Sequence, residues 1–232
     1  MTRRRRLAFL GLALPVLALL VALGVWQVQR LSWKRALIAR IDARLAAAPI
    51  PAPGPDRWAA IGSDAAYTRV KARGHWGSGD SYTQAVTDVG AGYWVMTPFR
   101  DDRGFVVLVN RGFVPADQRG RAPHPAAGNA GISGLLRVSE PHGGFLRAND
   151  PAADRWYSRD VAALAAKRGL DGAAPYFIDA DARTSPDSPR GGLTAVRMPD
   201  NHLQYALTWF AMAILLAIAV ARLVLVPGKA DA

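Results

Sequence analysis

Four histidines are the residues that first suggest chemistry. His75, His124 and His142 lie in strand-like or loop-like surroundings, with no H-x-x-x-H or H-E-x-x-H spacing, so a helix-borne metal centre has no support; ligands bridging from separate loops stay open. His202 differs, because it opens the stretch NHLQYALTWFAMAILLAIAVA, residues 201–221. On a helix His202, Tyr205, Ala206 and Trp209 fall at i, i+3, i+4 and i+7 and share one face. A histidine beside a small residue and two rings, at the edge of an apolar run, suits ligation of a metal in a flat apolar cofactor. The same residues also read as an aromatic belt, with an interfacial histidine bonded to a headgroup or a neighbouring loop. Residues alone leave both readings open.

Other chemistries fare worse. No nucleophile–base pair stands out, and Asp101–Asp102 and Asp179 with Asp181 read as solvated turn residues rather than paired catalytic carboxylates. Gly77, Gly79, Gly90 and Gly92 form neither G-x-G-x-x-G nor a Walker A loop. The chain contains no cysteine, which excludes disulfides, zinc–cysteine sites, CxxCH haem attachment and a thiol copper relay. Met1, Met96, Met198 and Met212 form no cluster, so a copper carrier is the least attractive reading. Of the formal net charge of +11, Arg3 to Arg6 carry four, while residues 30–205 hold a net +6 with the signs interspersed. That pattern, without lysine–aromatic interleaving, argues against a nucleic-acid partner.

The elements that must position these residues follow from hydropathy. From Leu203 to Ala221 run 19 uncharged, mostly apolar residues, with Arg222 placed to snorkel. Residues 7–26 form a second such run behind the arginines, with Pro15 tolerable as a kink; the nearest A-x-A, at Ala46 to Ala48, lies too far downstream for a cleaved signal peptide. Arg3 to Arg6, Arg222 and Lys229 put both termini on the cytoplasmic side and residues 27–201 outside, in the periplasm or a mitochondrial intermembrane space. Trp33, Leu37, Ile41 and Leu45 recur every four residues, so the first helix is expected to continue as an amphipathic rod, ended by the stiff linker PIPAPGP, residues 49–55.

Beyond it the pattern becomes sheet-like, with alternation or short apolar runs in residues 67–76, 82–86, 92–99, 104–114, 131–140 and 176–180, and a possible last strand over 192–198. Asp160 to Arg168 reads as one short helix bounded by Gly169. The expected fold class is an α+β membrane protein, with two transmembrane helices flanking a mainly antiparallel β extracytoplasmic domain that carries a short helix. Its divisions are a basic N-terminus (1–6), helix one (7–26), juxtamembrane helix and linker (27–55), β-rich domain (56–201), helix two (202–222) and a tail (223–232).

Six segments then stand out in order: LGVWQVQR (23–30), GYWVMTPF (92–99), VLVNRGFVP (107–115), FLRANDP (145–151), WYSRD (156–160) and NHLQYALTWF (201–210). Each has a local explanation, such as a packed core pair at Trp156 and Tyr157. Taken in this order between two spans, they resemble the surfeit-locus protein 1 family, assembly factors of haem-copper cytochrome c oxidase. Asp200 departs from the family's paired asparagines, and Phe113 stands where tryptophan is common. The resemblance implies an inner-membrane protein that supplies or protects haem a, with cytochrome c oxidase subunit I as partner, haem a synthase as a second candidate partner, and the lipid membrane around it. It matches His202 to the family's haem-associated histidine, the metal ligand, and Trp209 to its tryptophan. Tyr205 is expected to pack beside the ring, and Arg30 or Arg111 to meet the propionates. No bond-making chemistry is asked of the protein. The rivals are an oxidase scaffold that binds no haem, and a membrane-anchored enzyme built on Asn149, Asp150 and the three outer histidines.

Overall fold

A computed structural model describes residues 3–144, 146–182, 189–193 and 200–225. The chain divides into two compact units, residues 1–40 with 197–232, and residues 41–196.

The first unit contains two helices. α1 (Arg3–Ala46) runs unbroken through Pro15, and α3 (His202–Leu225) is the C-terminal helix. Each is long and apolar enough to cross a membrane, and together, flanking the second unit in sequence, they support a multi-pass membrane topology. A stripe of shielded positions on α1 runs through Arg6, Leu10, Ala13, Leu17, Leu20, Gly24, Gln27 and Leu31, flanked by Leu23, and on α3 through His202, Ala206, Trp209, Ala213, Leu216, Val220 and Leu223, flanked by Phe210 and Ala217. Steps of four and three residues are the 3.5 period by which two helices keep one seam in contact. Gly24 marks a close approach, since a Cβ there would lie 2.6 Å from the Phe210 ring. Beyond the apolar run Ile41 is buried and Leu37 and Leu45 are half-buried, as the four-residue repeat predicts. Trp33 instead is 48% exposed, with Arg30 stacked on it at 3.9 Å.

The second unit is a sheet that closes on itself. Its strands are β1 (Ile50–Pro51), β2 (Arg69–Trp76), β3 (Ser81–Thr87), β4 (Gly90–Asp101), β5 (Val106–Pro115), β6 (Asn129–Val138) and β7 (Ala173–Ala180). Their order is β1-β2-β6-β7-β5-β4-β3, and β2 also meets β4, so β2, β6, β7, β5 and β4 form a closed ring. Five pairings are antiparallel; β1–β2 and β5–β7 are parallel. The ring shuts where Gly74 faces Asp101; a Cβ on Gly74 would collide with the Arg100 carbonyl.

Closure explains the near-continuous apolar run of β5. Val107 and Val109 join Val70, Phe99, Ile132, Leu136 and Ile178 in one cluster, while Leu108 joins Met96, Trp156, Leu164 and Phe177 in another, beneath α2 (Val161–Arg168). Each such side chain, fully buried, contributes about 1.5–3 kcal/mol. α2 is capped as its sequence predicts: Asp160 accepts from the Ala163 amide at 3.1 Å, and Gly169 adopts the left-handed conformation.

Residues 49–55 depart from the expected linker. Ile50 and Pro51 pair with β2, Ala52 to Gly54 are buried, and the Pro53 carbonyl accepts both Tyr176 Oη at 2.8 Å and Trp58 Nε1 at 3.1 Å. Prolines stiffen the segment but leave its carbonyls free to anchor it to the sheet. Burial raises the Tyr176 phenol far above its ordinary range, so this hydroxyl remains a donor. The last strand expected over 192–198 lies largely outside the described residues.

Candidate functional site

The residues singled out by the α3 motif fall in the helix-pair unit, at the start of α3. Asp200 Oδ1 accepts the His202 amide at 3.2 Å, and the Tyr205 amide donates to the Asn201 carbonyl at 3.1 Å, so both residues before the helix satisfy its first amides. The aspartate that departs from the paired asparagines thus holds the turn carrying the histidine.

His202 is half-buried, and its Nδ1–H donates to Gln27 Oε1 of α1 at 2.8 Å. Gln27 is itself 8% exposed, a polar side chain on the buried seam of an otherwise apolar pair. In a neutral imidazole, donation from Nδ1 leaves the lone pair on Nε2, and among the described residues no hydrogen bond reaches Nε2. The arrangement is therefore a positioned imidazole with one nitrogen anchored and the other open to a ligand. Sequence reasoning missed Gln27. Its signal was present: it is the polar member of the stripe Leu10, Ala13, Leu17, Leu20, Gly24, Gln27, where a buried polar residue sets register and partner.

Trp209 lies two turns deeper on the same stripe and is half-buried, beside Phe210. Tyr205 is 54% exposed, which leaves its ring on the outer flank of the helix. Arg30 sits one turn beyond Gln27 on α1 and, among the described residues, has no carboxylate partner.

Arg111 belongs to the other unit. It is 9% exposed and donates to Asp80 Oδ2 at 2.8 Å, Thr97 Oγ1 at 2.7 Å and the Pro123 carbonyl at 2.7 Å. The structure thus shows it tying β5 to β4 and to the segments before β3 and before β6. Its neighbour Asn110 donates to Asp179 Oδ1 at 2.8 Å, and Asp179 also accepts Arg137 at 2.9 Å and Arg159 at 3.3 Å. Burial opposes the charge of Arg159, but bonding to Glu140 and the nearby Asp179 carboxylate outweigh it and hold the guanidinium above its ordinary value. Phe113 packs its ring edge-on to Trp94, centroids 5.9 Å apart.

His75, His124 and His142 do not converge: among the described residues no three His, Cys, Asp or Glu side chains are placed to hold a metal ion. His124 instead lies between the Gly77 and Pro125 carbonyls. Asn149 is a structural tie, its Oδ1 accepting the Tyr157 and Ser158 amides. A metal at His202 must therefore bring most of its own donors, which is the property of haem iron, and the single oriented imidazole fits that group.

Comparison with known proteins identifies the family. The sequence profile of the SURF1 family matches residues 14–214, from within α1 to within α3. Surfeit locus protein 1 of Rattus norvegicus is 37% identical over 211 residues, covering 82% of this chain and 67% of its own length. The Homo sapiens protein of that name is 35% identical over 223 residues, covering 87% and 72%. The SURF1-like protein of Monosiga brevicollis is 33% identical over 220 residues, covering 87% and 81%. A profile match over most of the length, together with relatives above 30% identity covering 82% and 87% of it, establishes that this chain belongs to the SURF1 family.

Proposed function

We propose that this protein is an assembly factor for haem-copper cytochrome c oxidase that binds haem a through His202 and aids its insertion or retention in subunit I. Family membership supports the general assembly role. The observation that carries the finer reading is the 2.8 Å bond from His202 Nδ1–H to the buried Gln27 amide, which leaves Nε2 as the coordinating atom. Haem a would bring an iron whose donors come mostly from the porphyrin itself, so that one imidazole from this chain, His202, would suffice to hold it. Within this reading Gln27 fixes the tautomer and ring plane, Trp209 shields the inner side and Tyr205 the outer. Arg30 is the available cation for a propionate, whereas Arg111 serves the β domain. The protein performs no bond-making step; it holds and protects a cofactor beside its partner, with haem a synthase as a second candidate partner. Within the same reading both termini face the cytoplasmic side, as the flanking arginines direct, and the β domain lies outside, in the periplasm or a mitochondrial intermembrane space.

The test is spectroscopic. Wild type and His202→Ala, each purified from cells making haem a, are compared for haem-to-protein ratio and Soret band. Loss of haem from the variant with normal membrane insertion is expected. Equal occupancy and an unchanged spectrum would return the protein to a scaffold that binds no haem.

A further inference from the structure

The edge of the β domain carries a second feature, independent of His202. β3 is paired on one side to β4, from Ser81–Met96 to Thr87–Gly90, with a two-residue turn. In such a ladder alternate residues face the partner strand, so the amides and carbonyls of Gln84 and Val86 point to the outer edge. Part of that edge is already covered: the Gln84 amide donates to the Trp156 carbonyl at 2.8 Å, and Thr83 forms a parallel bridge with Trp156. After Trp156 the covering segment turns away, because Asn149 Oδ1 takes the Tyr157 and Ser158 amides. Strand addition thus stops after one residue, and the Val86 amide and carbonyl meet no described backbone group.

Beside this open edge lies a groove of about 350 Å³ lined by Val86, Tyr93, Gly144, Arg147 and Tyr157 among others. It adjoins a smaller cavity bordered by Tyr82, Arg119 and Arg155. Among the described residues no carboxylate lines either space. Arg147 lies over the Tyr157 ring at 5.5 Å and Arg119 over Tyr93 at 5.1 Å, and among the described residues neither has an acidic partner. Val86 and Leu146 are each 88% exposed, and Leu146 is held at a φ of 59°, a conformation costly for a leucine. Edges that serve only the fold are usually blunted by lysine, proline or a bulge; Gln84 to Thr87 have none of these.

We propose that the outer edge of β3 is a docking site for an extended, acidic strand of a partner protein, which continues the sheet past Trp156. Main-chain bonds to Val86 give the register, Val86 and Leu146 flank its apolar side chains, and Arg147 with Arg119 receives its carboxylates.

The probe is a fluorescein-labelled Val-Glu-Val-Glu-Val-Glu-Val peptide, titrated by anisotropy against the full-length protein in phosphatidylcholine nanodiscs. Val86→Pro removes the outward amide without touching the β4 ladder, and Arg147→Glu reverses a guanidinium without touching the backbone. Saturable binding, weakened about tenfold or more by each substitution and in the lysine-for-glutamate peptide, is expected. Absence of saturation up to about 1 mM, or equal binding by Val86→Pro, overturns the proposal. So does sedimentation with phosphatidylglycerol vesicles that Leu146→Asp abolishes while the peptide fails to bind, which would assign the surface to lipid.

Discussion

Replacing Gln27 by leucine probes the helix-pair site without deleting the proposed ligand. Leucine is one atom shorter than glutamine but of similar bulk, and it suits the apolar seam at a position only 8% exposed, so α1 and α3 should still pack and insert. What is lost is the 2.8 Å acceptor for His202 Nδ1–H. The imidazole is then free to rotate or to take the tautomer that carries its proton on Nε2. Outer-sphere partners of metal-bound histidine typically contribute 10- to 100-fold in affinity, so haem a retention by Gln27→Leu should fall by about 1.4–2.7 kcal/mol. Gln27→Glu should bind at least as tightly as wild type, because a carboxylate acceptor raises imidazole basicity. The assay is competition of nanodisc-held protein with apomyoglobin, followed at the Soret band. Affinity of Gln27→Leu within twofold of wild type would refute the claim that this bond orients the ligand.

Two further outcomes test the β domain. Asp179 is 3% exposed between Arg137 and Arg159, and Asp179→Ala leaves two guanidinium groups under-compensated; a cost of about 3–5 kcal/mol corresponds to a fall in Tm of about 6–20 °C. A drop below about 3 °C by differential scanning fluorimetry would contradict that account. For Asp154, burial works against the charge, but bonds from Trp156 Nε1 and Arg168 outweigh it and depress the carboxyl below its ordinary 3.8. A depressed folded value means stabilisation present above pH 3.8 and lost as pH falls through the folded value. The stability gap between wild type and Asp154→Asn in urea should therefore be wide at pH 7 and close on acidification; a gap independent of pH would count against it.

Much of this architecture was legible because it rests on local patterns. The two apolar runs, the alternating strands and the Asp160–Gly169 bracket of α2 each carry their own signal within a few residues. Closure of the ring was not legible, since the meeting of Gly74 with Asp101 and the parallel pairing of β5 with β7 depend on contacts distant in sequence. The segment from Ile50 to Gly54 misled for a related reason: its proline content speaks of stiffness, while its burial is decided by Tyr176 and Trp58, far along the chain or across a turn. At the candidate site the histidine was visible as a polar residue heading an apolar run. Gln27 was not, because one amide at the end of such a run reads as a boundary until the partner helix is placed.

The role proposed for this protein is to handle haem a for the oxidase by way of His202. It is tested most directly by the haem a content of cytochrome c oxidase subunit I purified from cells lacking this chain and complemented with wild type, His202→Ala or empty vector. Wild type should restore haem a to the subunit, while His202→Ala, expressed and inserted at the same level, should leave it depleted towards the empty-vector level. Full haem a occupancy in the His202→Ala cells, equal to wild type, would contradict the claim.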